Sequence, residues 1–303
     1  MQKLKDFKIE FLLILGIVAS LSNACVKDED PDGNSNGSEQ LLGSTGTTFN
    51  CGDFAYSDTL IHINIENENL LQPTKKLSGT FEAVPEGLVL DSLTGEIDVN
   101  KSESGLKYKI TFRPTNGAPE CSTFFTISGV NYLDAIYILE ENQRFAVPIF
   151  NGDPLASTPC EDDDEDDDID DDDCEFDVEG PGGTKLEDFG VSIDDDSGEI
   201  DLQESIESGA LGENPLNGDF EDFKLYYRLA DNSGSALNSI DIRIYYFETT
   251  ADIPQSLLDE MTEKNNQILN LPYQNPFSDY ARVMADNPRT KPRPPYLLVV
   301  ARR

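Results

Sequence analysis

Short stretches of alternating apolar and polar residues organise most of this chain. Leu60-Ile-His-Ile-Asn-Ile65, Tyr108–Phe112, Phe124–Ile127, Ala135–Leu139, Phe223–Tyr227 and Ile240–Phe247 each carry apolar side chains at about every second position. That period turns one face of a strand toward a core and the other toward water. One segment has helical spacing instead. After Pro254, residues Ser256–Leu271 place Leu257, Leu258, Met261, Asn265, Ile268 and Leu269 along one face, which is expected to pack on the domain before it. The run Tyr296-Leu-Leu-Val-Val300 is read as a last strand added to a sheet edge. Strands this short and this evenly spaced predict an all-β protein of antiparallel sandwiches with a short C-terminal helix and tail.

Aligning the chain with itself exposes a repeat. Residues 87–102 read GLVLDSLTGEIDVNKS and residues 190–205 read GVSIDDDSGEIDLQES, at a constant offset of 103 (190 − 87). Seven of 16 positions are identical, where unrelated sequences of average composition would share about one. The match continues with Lys109-Ile-Thr-Phe-Arg113 against Lys224-Leu-Tyr-Tyr-Arg228, and with Ser122–Ile127 against Ser239–Ile244. Each copy reads as two strands about a turn. Leu90 or Ile193 ends the first strand, and the Asp91 or Asp194 carboxylate binds turn amides. Gly95 or Gly198 supplies a positive φ. Ile97 and Val99, or Ile200 and Leu202, then alternate with acids in the second strand.

Pro85-Glu-Gly-Leu-Val-Leu-Asp91 followed by Thr94-Gly-Glu-Ile97 resembles the bacterial immunoglobulin-like and cadherin-like (dystroglycan-type) domain family, whose hallmark is Pro-x-Gly-Leu-x-Leu-Asp-x-x-Thr-Gly-x-Ile. The second copy keeps Gly190, Ile193, Asp194, Ser197, Gly198 and Ile200 but has no proline before its glycine. The resemblance covers about 47–130 and 131–250. It implies two tandem sandwiches used for adhesion or as spacers, and no catalysis. The calcium motifs found between cadherin repeats are not evident here, so the resemblance carries no calcium site over.

The N-terminus reads as an export signal. Lys3, Lys5 and Lys8 precede the uncharged run Phe11–Leu21, which is too short to span a bilayer, and then Ser22-Asn-Ala-Cys25. This segment resembles a lipobox in which Cys25 becomes the lipidated first residue, although Ser22 stands where a leucine is usual. The tract Val26-Lys-Asp-Glu-Asp30 resembles the surface-export signal of some outer-membrane lipoproteins. The expected plan is a signal peptide over 1–24 and a flexible acidic tether over 25–46. A first sandwich follows over 47–129 and a second over 130–250, with a helix and basic tail over 251–303. The expected location is the outer membrane, through the lipid anchor, facing outward.

Charge narrows the partners. There are 22 Lys+Arg against 59 Asp+Glu, a formal net charge of −37, which repels phosphate backbones and excludes nucleic acid. Cys160 and Cys174 bracket EDDDEDDDIDDDD, placed by the repeat as a loop inserted within the second sandwich. With Cys25 lipidated, four cysteines remain and allow three connectivities. The loop insertion favours Cys160 with Cys174, leaving Cys51 with Cys121. The loop's oxygen donors suit Ca²⁺, with Asp162, Asp163, Asp164, Asp166, Asp167, Asp168, Asp170, Asp171, Asp172 and Asp173 as candidate ligands. It lacks the glycine of an EF-hand, so the favoured reading is a solvated, self-repelling run that gathers cations loosely. Arg282, Arg289, Lys291, Arg293, Arg302 and Arg303 form the basic counterpart.

No catalytic constellation stands out. His62 is the single histidine and is expected on the open face of a strand. A triad or a two-histidine metal site has no other histidine to use. Two functions remain: a surface binding or adhesion module for a protein or glycan ligand, and an accessory lipoprotein of an outer-membrane assembly. Neither is an enzyme, and neither implies a cofactor.

Overall fold

The computed structural model describes residues 50–65, 67–160, 174–269 and 293–302. The first copy holds β1 (Leu60–Ile61), β2 (Leu70–Leu71), β3 (Gly79–Val84), β4 (Ile97–Asp98), β5 (Leu106–Pro114) and β6 (Cys121–Ile127). The second opens with β7 (Val130–Asn131), β8 (Ala135–Ile138), β9 (Phe145–Ala146), β10 (Ile149–Phe150) and β11 (Glu175–Phe176). It continues through β12 (Ser192–Ile193), β13 (Ile200–Asp201), α1 (Leu202–Glu207), β14 (Phe220–Arg228) and β15 (Asn238–Phe247). After these come α2 (Gln255–Leu269) and β16 (Tyr296–Val300). The protein is mostly β, as the alternation predicts.

Both copies follow one plan. In the first, a sheet of order β1–β6–β5–β3 accompanies the pair β2–β4. In the second, the order is β11–β14–β15–β16–β8, accompanied by β12–β13–β9. Exchanging β3, β5, β6 and β1 for β11, β14, β15 and β8 converts one order into the other, apart from the extra β16. The correspondence reaches single atoms. Leu90 bridges Ile97 in the first copy, and Ile193 pairs with Ile200 in the second. The Tyr56 hydroxyl donates to the Gly95 carbonyl at 2.7 Å, and that of Tyr132 donates to Gly198 at 2.6 Å. The Ser102 hydroxyl donates to the Asp98 carbonyl and accepts from the Val89 amide. Ser205 does the same with Asp201 and Ser192.

The turn that defines the repeat is stabilised locally. The Asp91 carboxylate accepts from the Leu93 and Thr94 amides, and that of Asp194 from the Ser197 amide and hydroxyl. Gly95 and Gly198 have φ of +75° and +72°. Buried rings lie against both glycines, Phe81 against Gly95 and Phe176 against Gly198.

Four expectations need correction. The sheets are mixed, because β1 runs parallel to β6, β16 to β15, and β8 to β16. Hairpins such as β5–β6 are antiparallel because short loops join them, whereas the first strand of each copy returns from far along the chain. The opening strand covers Leu60–Ile61 alone. Beyond it the chain is drawn off, where Asn100 accepts from the Asn64 amide and donates to the Asn64 and Asn67 carbonyls. The strand after the turn also stops early. Val99 enters a 3₁₀ turn, and Leu202 begins α1, whose N-cap Asp201 accepts from the Gln203 and Glu204 amides.

The last correction concerns β16, which lies inside the sheet between β15 and β8. All five of its residues are buried. Leu297 and Val299 enter the second-copy core, while Tyr296, Leu298 and Val300 pack with Phe247, Ile253, Leu257 and Met261 behind the sheet. A continuous apolar run with parallel neighbours is the pattern of a strand covered on both faces. The helix α2 supplies the second cover, and its far end places Ile268 in the core of the first copy. Its face therefore packs on the preceding domain, as expected, and reaches the first copy as well.

Gly198→Ala should destabilise the fold by about 2–4 kcal/mol, since the new methyl meets a strained φ and the Phe176 ring at 2.5 Å. Gly117→Ala, at φ +75° with open space around it, should lose about 1–2 kcal/mol from the backbone term alone. Urea unfolding of both variants measures the difference.

Candidate functional site

The junction of the two copies gathers three of the buried charged side chains among the described residues, Glu103, Asp134 and Lys264. Lys264, on the otherwise apolar face of α2, is 4% exposed. Its ammonium donates to Glu103 Oε1 at 2.8 Å, to Glu103 Oε2 at 3.1 Å and to the Arg293 carbonyl at 2.8 Å. A lysine has three donors, and all three are met. Glu103 also accepts from Asn131 Nδ2 at 3.0 Å. Beside this pair, Asp134 accepts from both terminal nitrogens of Arg293, at 3.3 and 2.5 Å, and from the Tyr296 amide at 2.7 Å. Asn265 accepts from the Asp134 amide and donates to its carbonyl. The Arg293 guanidinium lies 4.0 Å over the Tyr296 ring.

Each member comes from a different part of the fold. Glu103 follows β4, Asp134 precedes β8, Lys264 and Asn265 are on α2, and Arg293 leads into β16. Gly87, a residue of the family-like motif, has φ +124° and makes room for Glu103. A β-carbon there would stand 2.6 Å from Glu103 Oε2. Burial raises the Glu103 carboxyl above its ordinary value, and Lys264, Asn131 and Arg293 only partly oppose the shift. The alternation did not single out Glu103, Asp134 or Lys264. Lys264 had one visible signal, its position at helical spacing between Met261 and Ile268.

A second feature of the junction is an open cleft of about 330 Å³ between a wall of the first copy and a wall of the second. Asn64, Asn67, Asn69 and Asn232 line it with His62, Glu68 and Ser233, over Ile63 and Ala236. His62 is half-buried rather than on the open face expected of it. Its Nδ1 lies 3.4 Å from Asp231 Oδ2, an oxygen that also accepts from the Ser128 hydroxyl at 3.1 Å. This contact ties the two walls together. Asn69 closes the first wall by donating to the His62 carbonyl, and Asn100 fixes its backbone from behind.

The structure joins Cys51 to Cys121 and Cys160 to Cys174, with Cα atoms 5.4 and 5.3 Å apart. The first bridge ties the start of the first copy to β6. The second closes the neck of the acidic run just before β11. Cys25, the candidate calcium ligands Asp162 to Asp173, and Arg282, Arg289, Lys291 and Arg303 lie outside the described residues. Among the described residues no three His, Cys, Asp or Glu side chains gather as a metal site. No helix among them is long and apolar enough to cross a membrane. No protein-family model matches the chain, and no curated protein matches it.

Removing one partner of the buried pair, as in Glu103→Ala, should destabilise the protein by about 3–5 kcal/mol, because two of the three buried donors of Lys264 would lose their acceptors. The double replacement Glu103→Leu with Lys264→Met should recover most of that loss. A double-mutant cycle in urea measures the coupling. The pH dependence has a definite sign. With its carboxyl raised in the folded state, Glu103 supports folding most below its ordinary value of about 4.5 and loses that contribution as pH rises through the folded-state value. From pH 4 to 7, wild-type stability should therefore fall relative to Glu103→Gln, a difference that chemical denaturation at several pH values will register.

Proposed function

We propose that this protein is an exported, lipid-anchored binding module of a bacterial outer-membrane surface, built from two immunoglobulin/cadherin-like sandwiches. The observation that carries the reading is the pairing of a lipobox-like N-terminus at Cys25 with a duplicated β architecture closed by two disulfides. Disulfides persist in oxidising compartments, which supports export. Each copy holds a larger sheet and a smaller one built around the repeat turn, and this supports the sandwich reading. The reading assigns binding and no catalysis. His62 is engaged with Asp231, and the 59 acids single out no pair for acid–base work.

A second role rests on the junction itself. The buried ion pairs and the strand shared between core and helix fix the two copies to each other, which a spacer in an outer-membrane assembly would use. Both roles share the anchor. Cys25→Ala should move the protein from the membrane fraction to the soluble fraction. Replacing Lys27-Asp28-Glu29 with alanines should leave it anchored but protected from protease added outside intact cells. Cys25→Ala protein that stays with the membrane would remove the lipoprotein reading.

A further inference from the structure

We propose that the cleft between the two copies is a binding site for a neutral sugar, an inference that rests on the surface-binding reading above. Its walls are made largely of side chains that both donate and accept hydrogen bonds. Four asparagines and a serine line a volume of about 330 Å³, near the lower end of small-ligand sites, roughly 300–1,000 Å³, with Asn69 already donating to the His62 carbonyl. A carboxamide offers a carbonyl acceptor beside an NH₂ donor, which matches the paired hydroxyls of a pyranose ring. No other common ligand class fits that lining as well.

Charge and polarity remove the alternatives in turn. Glu68 lines the cleft, Asp231 stands behind His62, and the whole chain carries −37, so phosphates, uronic acids and sialic acids are repelled. An apolar ligand would find Ile63 and Ala236 alone. A basic peptide or a free cation would want carboxylates, and Glu68 is the one carboxylate in the lining. Sugars bind weakly unless the site is ordered beforehand. Here Asn100 clamps the first wall through the Asn64 and Asn67 backbone, and the His62–Asp231 contact sets the gap between the walls. The Asn67 and Asn232 side chains are exposed at the rim, so they are free of the packing that holds the fold.

The test uses the detergent-solubilised full chain, with saturation-transfer NMR and calorimetry. The probes are the methyl glycosides of mannose, galactose, glucose, fucose and N-acetylglucosamine. N-acetylneuraminic acid and a short Lys/Arg peptide serve as comparisons. At least one neutral glycoside should bind with a millimolar Kd, and the sialic acid at least tenfold more weakly. Asn67→Ala and Asn232→Ala should each weaken binding by about two- to tenfold. Ser233→Trp, which fills the cleft, should abolish it while the urea midpoint stays near wild type. Silence from every neutral glycoside overturns the proposal, as does binding that survives Ser233→Trp. Binding of the basic peptide that is lost in Ser233→Trp overturns it in favour of a protein ligand. Fractionation of the same cells reads the anchor separately, so a failed sugar site and a failed surface assignment give different results.

Discussion

An ammonium group taken out of water is tolerated only when each of its donors finds an acceptor and a negative charge lies close by. Lys264 meets that condition through Glu103 and the Arg293 carbonyl, and its neighbour Arg293 meets it through Asp134. The carboxylates belong to the two copies and the cations to the segment that follows them. The arrangement can therefore exist only when both copies, α2 and the approach to β16 are all in place. Pairs of this kind add little net stability compared with apolar packing, but they strongly penalise any arrangement in which one partner is missing. At this junction the penalty selects one relative placement of the two copies. The sugar-sized cleft, whose walls come one from each copy, inherits its width from that placement.

In its larger sheet the second copy differs from the first by a single inserted strand. In the first, β1 lies directly along β6; in the second, β8 is set one strand further out, with β16 between it and β15. That insertion widens the sheet and leaves an apolar back face, which α2 then covers. Because Lys264 lies on α2 and Arg293 immediately precedes β16, the same additions carry both cations of the junction. Extending the second copy and fixing it to the first are one structural event.

What could be read from the sequence divides by range. The repeat turn was legible because its parts are neighbours: an Asx-type carboxylate, a positive-φ glycine four residues on, and an isoleucine two beyond it. The cysteine pairing followed from where the repeat placed the acidic run. The buried network was not legible, since Lys264 meets Glu103 across 161 residues and Asp134 meets the Tyr296 amide across 162. Local periodicity is silent about such partners. The place of β16 lies between these cases. Its unbroken apolar run already argued against an edge, where one face meets solvent, and alternation was the wrong template for it. His62 was misplaced for a related reason, because the partner that half-buries it, Asp231, comes from the other copy.

The Cys160–Cys174 bridge has a consequence for how this surface can change over time. Its two cysteines sit side by side, so the chain leaves and re-enters the second copy at one point, and β11 starts immediately after the return. Whatever lies between them is a closed side branch of the main path. A peptide bond cut within it would leave the two pieces covalently joined and the sheets unaltered. Residues could be gained or lost there without shifting the register of any strand. The neck gives the chain a place where its length can change between two fixed ends.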